Sequence, residues 1–419
     1  MLRKAASAFA ILAVSATLVS AGINFDTLNK TNLQDEIKSL DLSVPAPALA
    51  SNDQERGKAG AEWTIMVFVN GKNNLEQFAL KDMNEMEMVG SSDKVNIVTE
   101  IGRIAGYDSS DGDWKTVRRY LVKKDNNTNK ISSPVLQEFP KVDMGDYNSV
   151  VDFVKWAQAN YPAKHYMLIV WNHGAGWIKS RGMEVTKGIS YDDQTGNHIT
   201  TPQMGLMMKA IGHIDVYGSD ACLMQMPEVD YEIKDYVDYI VGSEETEPGD
   251  GYTYNTFLGP IVAKPTMTAQ EVGTIATNAY ADHYGTQDHT QSLVLASAMN
   301  NLVPLTNKFV AAAMAANEKD LIKTAMGQAQ AYAYAENKDF WHFLSLYAAS
   351  SKNAQVKATA KALQDYITNT LVLVNRSNSN YADSHGIAIY MPNYSNSSYN
   401  SLAWAKDSQW DEFIGWYSK

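Results

Sequence analysis

The stretch Tyr166–Gly174, YMLIVWNHG, decides how this chain is read. Tyr166 to Trp171 form an unbroken apolar and aromatic run, too short for a buried helix. Such a run predicts a strand covered on both faces of a parallel sheet. It breaks at Asn172-His173-Gly174. A second run, Ile214–Gly218 (IDVYG), breaks in the same way at Ser219-Asp220-Ala221-Cys222. In open parallel sheets, reactive groups collect beyond the carboxyl ends of strands. If these two strands are parallel neighbours, His173 and Cys222 emerge on one rim.

Working outward, Thr64–Val69 (TIMVFV) predicts another buried strand, ending in Asn70-Gly71. Asn74 is placed to cap a helix over Leu75–Val89. Val95–Ile101 completes a βαβ unit, and Arg118–Val122 is a further strand candidate. Helices are expected at Val150–Ala159, Pro202–Ile211 and Met226–Tyr236, and a strand at Tyr239–Ser243. Ordered structure is expected from Trp63 onward. Beyond Pro265 come a helix (Thr268–Tyr284), a strand candidate (Ser292–Ala298), and Ala-rich helices within Asn301–Asn337 and Phe340–Thr370. A strand follows at Gly386–Met391. The Asn/Ser-rich segments Asn375–Tyr381 and Asn393–Ser401 read as loop. The aromatic tail, Trp404 to Tyr417, reads as core packing of a terminal helix. The fold class is therefore α/β, with a mostly parallel central sheet, helices on both faces and a helix-rich C-terminal part.

Cys222 is the only cysteine among 419 residues. The chain nevertheless begins like an exported protein. Arg3 and Lys4 precede an apolar run from Ala5 to Val19, and Ser20-Ala21 offers a small-residue cleavage site. Residues 1–21 are expected to be a signal peptide, and the mature protein to be secreted or periplasmic with no stable membrane association. Residues 22–62, with Pro45 and Pro47 and a polar stretch after them, read as a linker or pro-segment. Exported chains usually pair their cysteines, so an unpaired thiol needs a chemical reason. The formal charge of −12 argues against a nucleic-acid partner, which would require clustered Lys and Arg.

A thiol and an imidazole on one rim can perform nucleophilic catalysis. The thiolate attacks, and the imidazole takes the proton and later returns it to a leaving amine. Gly174 lets the backbone approach a substrate closely. Its N–H and that of Cys222 are candidates for an oxyanion hole. The other histidines show no ligand spacing of the His-Glu-x-x-His kind, which argues against a zinc hydrolase.

Five segments carry a resemblance: TIMVFVNGKNNLE, YMLIVWNHGAGW, YGSDACLMQMPEV, GSEETEPGDGYTY and HGIAIYMP. Together, from Trp63 to the end of the chain, they are similar to the clostripain family of cysteine peptidases, family C11 of clan CD. The resemblance implies a caspase-like α/β/α sandwich over 63–419 with a helical C-terminal extension. It implies cleavage after basic residues by a His173/Cys222 dyad, with protein or peptide substrates carrying Arg or Lys. Asp220 and Asp250 match the family's acidic positions in the pocket for the residue before the cut. A carboxylate there would pair with Arg or Lys. No cofactor is required for the chemistry, although some members need calcium. Glu244, Glu245 and Glu247 otherwise read as a solvated rim. The resemblance also implies a zymogen cut within the polar loop Trp177–Thr201; an enzyme specific for basic residues could cut itself there, with Lys187 the preferred site and Arg181 the second. Two alternatives stand beside this reading: a relative of other specificity, resembling legumain or the gingipains, and a non-catalytic binding protein that kept the fold.

Overall fold

The computed structural model describes residues 60–177 and 187–419. The expected signal peptide, almost all of the expected linker, and Arg181 lie outside them. A nine-stranded sheet forms the centre. Its strands are β1 (Ala61–Gly71), β2 (Val95–Arg103), β3 (Val117–Leu121), β4 (Val135–Phe139), β5 (Ala163–Trp171), β8 (Ile214–Asp220), β9 (Val237–Gly242), β10 (Thr290–Leu295) and β12 (Val372–Ser377). Their spatial order is β12-β10-β9-β8-β5-β1-β2-β3-β4. The five strands from β9 to β2 run parallel. The pairs at either edge are antiparallel. Two small ribbons complete the strands, β6 (Gly188–Asp192) with β7 (Asn197–Thr200), and β11 (Asn337–Asp339) with β13 (Ala388–Tyr390).

Strand β1 shows why the short apolar runs become central strands. Met66 and Phe68 face one core, while Ile65, Val67 and Val69 face the other. Each such side chain contributes about 1.5–3 kcal/mol on full burial. On the second face lie α1 (Glu76–Val89), α5 (Tyr254–Ala263) and α6 (Ala269–Tyr284). On the first lie α2 (Tyr147–Asn160), α3 (Thr201–Ile211) and α4 (Pro227–Ile233). The C-terminal helices α7 (Met299–Ala316), α8 (Lys319–Gln328), α9 (Phe340–Ser350), α10 (Ala354–Tyr366), α11 (Ala403–Asp407) and α12 (Trp410–Tyr417) join that first core. Trp404, Trp410, Phe413 and Tyr417 are buried in it, as the aromatic tail predicted, and Trp416 packs against it partly exposed.

The structure departs from the sequence reading in several places. Strand β1 begins at Ala61, two residues before Trp63, because Ala61 pairs with Ala163. Part of the predicted loop Trp177–Thr201 is the β6–β7 hairpin. Its few apolar residues, Ile189 and Ile199, are buried where an isolated alternation is hard to read. Asn375 to Ser377 belong to an edge strand rather than a loop; only one side of β12 pairs, so polar residues are tolerated there. Strand β4 and helix α5 were not foreseen, the first because its face is largely exposed. Asn74 does not cap α1. Asn73 accepts the backbone N–H of Leu75 instead (2.9 Å), which releases the Asn74 side chain.

Candidate active site

Strands β5 and β8 are parallel neighbours, and Trp171 is in register with Asp220. His173 and Cys222 each lie two residues beyond that pair, on the same rim. The Asn172 N–H donates to the Asp220 carbonyl (3.1 Å), which carries the register into the loops. The Asn172 side chain ties three segments together. Its Nδ2 donates to the Asn70 carbonyl (2.5 Å), and its Oδ1 accepts the Tyr191 N–H (2.6 Å). Gly174 then passes directly over the Cys222 turn. A Cβ at this position would stand 2.4 Å from the Cys222 carbonyl oxygen and 2.9 Å from the Ala221 Cβ. No residue but glycine fits. Leu223, immediately after the cysteine, has φ of 64°. A Leu in that left-handed region stores strain at the turn that presents the thiol.

Cys222 is half-buried. The Glu247 N–H points at its sulfur (3.3 Å). The backbone N–H groups of Cys222 and Gly174 act on the sulfur in the same sense, favouring the thiolate. They do not prevail. Burial first, and the Glu247 carboxyl second, push the thiol up to about 11. At neutral pH it is a protonated thiol that needs a base. His173 is the candidate for that base. Burial lowers its pKa below the ordinary imidazole value, against a smaller raising effect from Asp193. Its Nε2 lies 2.7 Å from the Asn74 Oδ1. An amide oxygen can only accept, so Nε2 carries the hydrogen and Nδ1 is left free to take a proton.

Behind Cys222 lies a cluster of carboxyl groups. Asp220 is buried and accepts the Tyr252 N–H (3.0 Å) and the Tyr254 hydroxyl (2.7 Å). Burial first, and the neighbouring Asp220 to which it is hydrogen-bonded, push the Glu247 carboxyl well above the usual carboxylate range. Burial pushes Asp220 itself up to about 7. Asp82 is fully buried beneath them, accepts the Trp171 indole N–H (2.7 Å), and is likewise driven upward by burial. Asp250 does not join this buried set. Its side chain is about half exposed and pairs with Lys81 at 2.9 Å. Glu244 and Glu245 do not form the solvated rim that was expected. Both are buried. Glu244 accepts the Tyr332 hydroxyl and the Gly386 N–H, and Glu245 accepts the Ala333 N–H and the Tyr381 hydroxyl. The loop after β9 is thereby bolted to the C-terminal part.

The clostripain family profile, peptidase family C11, matches residues 67–416. The chain belongs to the clostripain family. Clostripain of Hathewaya histolytica is 25% identical to it over 285 residues, which are 60% of this chain and 52% of clostripain. The chain thus spans about half the length of that relative. Two solved structures share the architecture. One is a secreted C11 cysteine protease from Bacteroides thetaiotaomicron in complex with an irreversible peptide inhibitor. It has a TM-score of 0.64 and 19% identity, over 84% of this chain and 100% of that one. The other is an inactive zymogen C11 protease from Parabacteroides distasonis. It has a TM-score of 0.64 and 18% identity, over 84% of this chain and 99% of that one. The caspase-like α/β fold with a helix-rich C-terminus is therefore that of the C11 structures.

Within this clostripain-family fold, Lys187 sits at the entry to β6, beside the rim. Its ammonium reaches the Tyr334 hydroxyl (2.7 Å) and lies over the same ring. Gly174 bridges Ile189, and the Ala175 N–H donates to the Gly188 carbonyl, so the Lys187–Gly188 bond adjoins the His173 loop. Sequence reasoning missed Asn74, Lys81 and Asn172. Asn74 and Asn172 lay within the quoted segments but were read only as a helix cap and a strand end, and Lys81 carried no motif. Among the described residues, His213, Asp215 and Asp238 could share a metal ion, but they lie at the amino ends of β8 and β9, on the opposite rim. No helix among the described residues is long and apolar enough to cross a membrane.

Proposed function

We propose that this chain is a secreted cysteine endopeptidase that cleaves peptide bonds after Arg or Lys through His173 and Cys222. The observation that carries the reading is the β5–β8 register, which packs the Gly174 backbone onto the Cys222 turn. In the proposed reaction, His173 Nδ1 takes the thiol proton as Cys222 Sγ attacks the scissile carbonyl carbon. The N–H groups of Gly174 and Cys222 hold the tetrahedral oxyanion, each such donor being worth on the order of 3 kcal/mol of barrier. Collapse breaks the C–N bond, and His173 returns the proton to the leaving amine. A water molecule, deprotonated by His173, then hydrolyses the thioester. A neutral thiol and a neutral imidazole suit this sequence, since the proton moves only when substrate is present.

For specificity, Asp220 and Asp250 are the proposed acidic partners of the basic side chain. A substrate cation would draw Asp220 into its ionised form, as an opposite charge always favours the charged state. Activation is proposed to follow self-cleavage after Lys187. A cut there would leave the β6–β7 hairpin intact, with Gly188 at its start. Export rests on the leader-like residues 1–21.

The test compares wild type with Cys222→Ala on short reporters ending in Arg, Lys, Asn or Asp. Wild type should release product from the Arg and Lys reporters only, and the variant from none. No turnover by wild type after prolonged incubation, with or without calcium, would remove the enzyme reading. N-terminal sequencing should find a chain starting at Gly188 in wild type and an uncut chain in Cys222→Ala.

A further inference from the structure

One face of α1 runs along the specificity loop. The Phe78 ring lies against Gly249, where a Cβ would stand 3.0 Å from its Cζ. Lys81 reaches Asp250 at 2.9 Å and Glu85 at 3.7 Å. Glu85 accepts the Tyr254 N–H at 3.0 Å. Positions 78, 81 and 85 share a helix face, so the Lys81 ammonium is carried to a fixed place on the loop. The surroundings are strongly acidic: Asp82, Glu85, Asp220, Glu247 and Asp250 form a chain of electrostatic neighbours, and Lys81 pairs with two of them, Asp250 and Glu85.

We propose that Lys81 is the resident cation of the specificity socket, seated on Asp250 in the free protein and displaced by the basic side chain of a substrate. This inference rests on the Arg/Lys reading above and deepens it. The pair is suited to displacement, because both side chains are two-fifths or more exposed and such ion pairs hold little net free energy. The vacated carboxylate discriminates between substrates. A substrate lysine replaces one ammonium by another. A substrate arginine brings a planar fork that can make two hydrogen bonds to a single carboxylate. The protein should therefore favour Arg over Lys.

The test measures kcat and KM for Arg- and Lys-terminated reporters in wild type, Lys81→Met, Asp250→Asn and the double variant. Lys81→Met keeps the apolar stem and removes the competitor. Its KM should fall about two- to fivefold for both reporters alike, since both displace the same pair, with kcat within about twofold. In the Asp250→Asn background, Lys81→Met should change nothing further. An unchanged or raised KM in Lys81→Met would overturn the inference and make Lys81 a tether of the loop. So would a gain that persists undiminished in the double variant. Lys81→Arg, which keeps the charge and can grip Asp250 with two bonds, should raise KM for both reporters; it serves if a thermal melt finds Lys81→Met unfolded. If wild type cleaves neither basic reporter, the specificity reading fails and takes this inference with it. If it cleaves both and KM ignores position 81, only this inference fails.

Discussion

His165 lies near the amino end of β5, and His173 lies two residues past its carboxyl end. Both are partly buried, and both hydrogen-bond an oxygen at 2.7 Å. The oxygens differ. His165 Nδ1 meets the Asp215 carboxylate, and its ring packs on Trp63. His173 meets the amide oxygen of Asn74, which orients the ring without adding a charge. The surroundings differ as well. At the amino rim, Asp215 also accepts the Tyr166 N–H, and its oxygens are occupied. At the carboxyl rim, backbone N–H groups converge on a sulfur and a non-glycine residue holds a positive φ. The comparison teaches that residue type does not make a site. One end of the strand is a satisfied hydrogen-bonded pair, and the other holds strain and an unshared proton acceptor.

The largest effect that could break this comparison is at Cys222. Cys222→Ala should lower kcat/KM by at least about a thousandfold, and a thiol-alkylating peptide should label wild type alone, read by intact mass. Next come the two histidines. His173→Ala should cost about a hundredfold or more, whereas His165→Ala should stay within about threefold on the same reporter. Equal losses would dissolve the contrast between the two ends.

A third measurement sharpens it through pH. Because burial depresses the His173 pKa, the acidic limb of kcat/KM should lie below the ordinary imidazole value of about 6.5. Asn74→Asp places a carboxylate beside Nε2, which favours imidazolium. The acidic limb should then move to higher pH, while Asn74→Ala should lower kcat about tenfold. A limb that ignores position 74 would make the asparagine a bystander.

The smallest effect concerns stability. The folded Asp220 pKa is about 7, raised mainly by burial above its ordinary value of 3.8. Between those values the folded state holds a proton that the unfolded state has lost. This contribution to stability is therefore complete below the lower value and declines as pH rises toward the upper one. Asp220→Asn should flatten that decline in the melting temperature between about pH 4 and pH 7. An unchanged slope would show that Asp220 is ionised in the fold.

Much of this was legible in the chain itself. The runs Tyr166–Trp171 and Ile214–Gly218 became adjacent parallel strands, because short, doubly buried apolar segments have few other places to go. The breaks after them located His173, Gly174 and Cys222. Less was legible where polar residues gain their role from distant neighbours. Glu244 and Glu245 look like a solvated run until Tyr332, Ala333, Tyr381 and Gly386 arrive from the C-terminal part. The hairpin at Gly188–Thr200 was hidden for the same reason, since its strands are short and one of them docks on the His173 loop.

The sequence by itself determined the parallel core, the strand-end positions of His173 and Cys222 and, through its motifs, the clostripain family. Local hydrophobic pattern and covalent spacing are enough for these. Only the tertiary structure decided that Asn74 serves His173 rather than its helix, that Asp220 is buried with Glu247, and that Asp250 is held by Lys81. Those pairings join residues far apart in the chain. Their energies depend on burial and on which charges end up adjacent, and neither is written in local spacing.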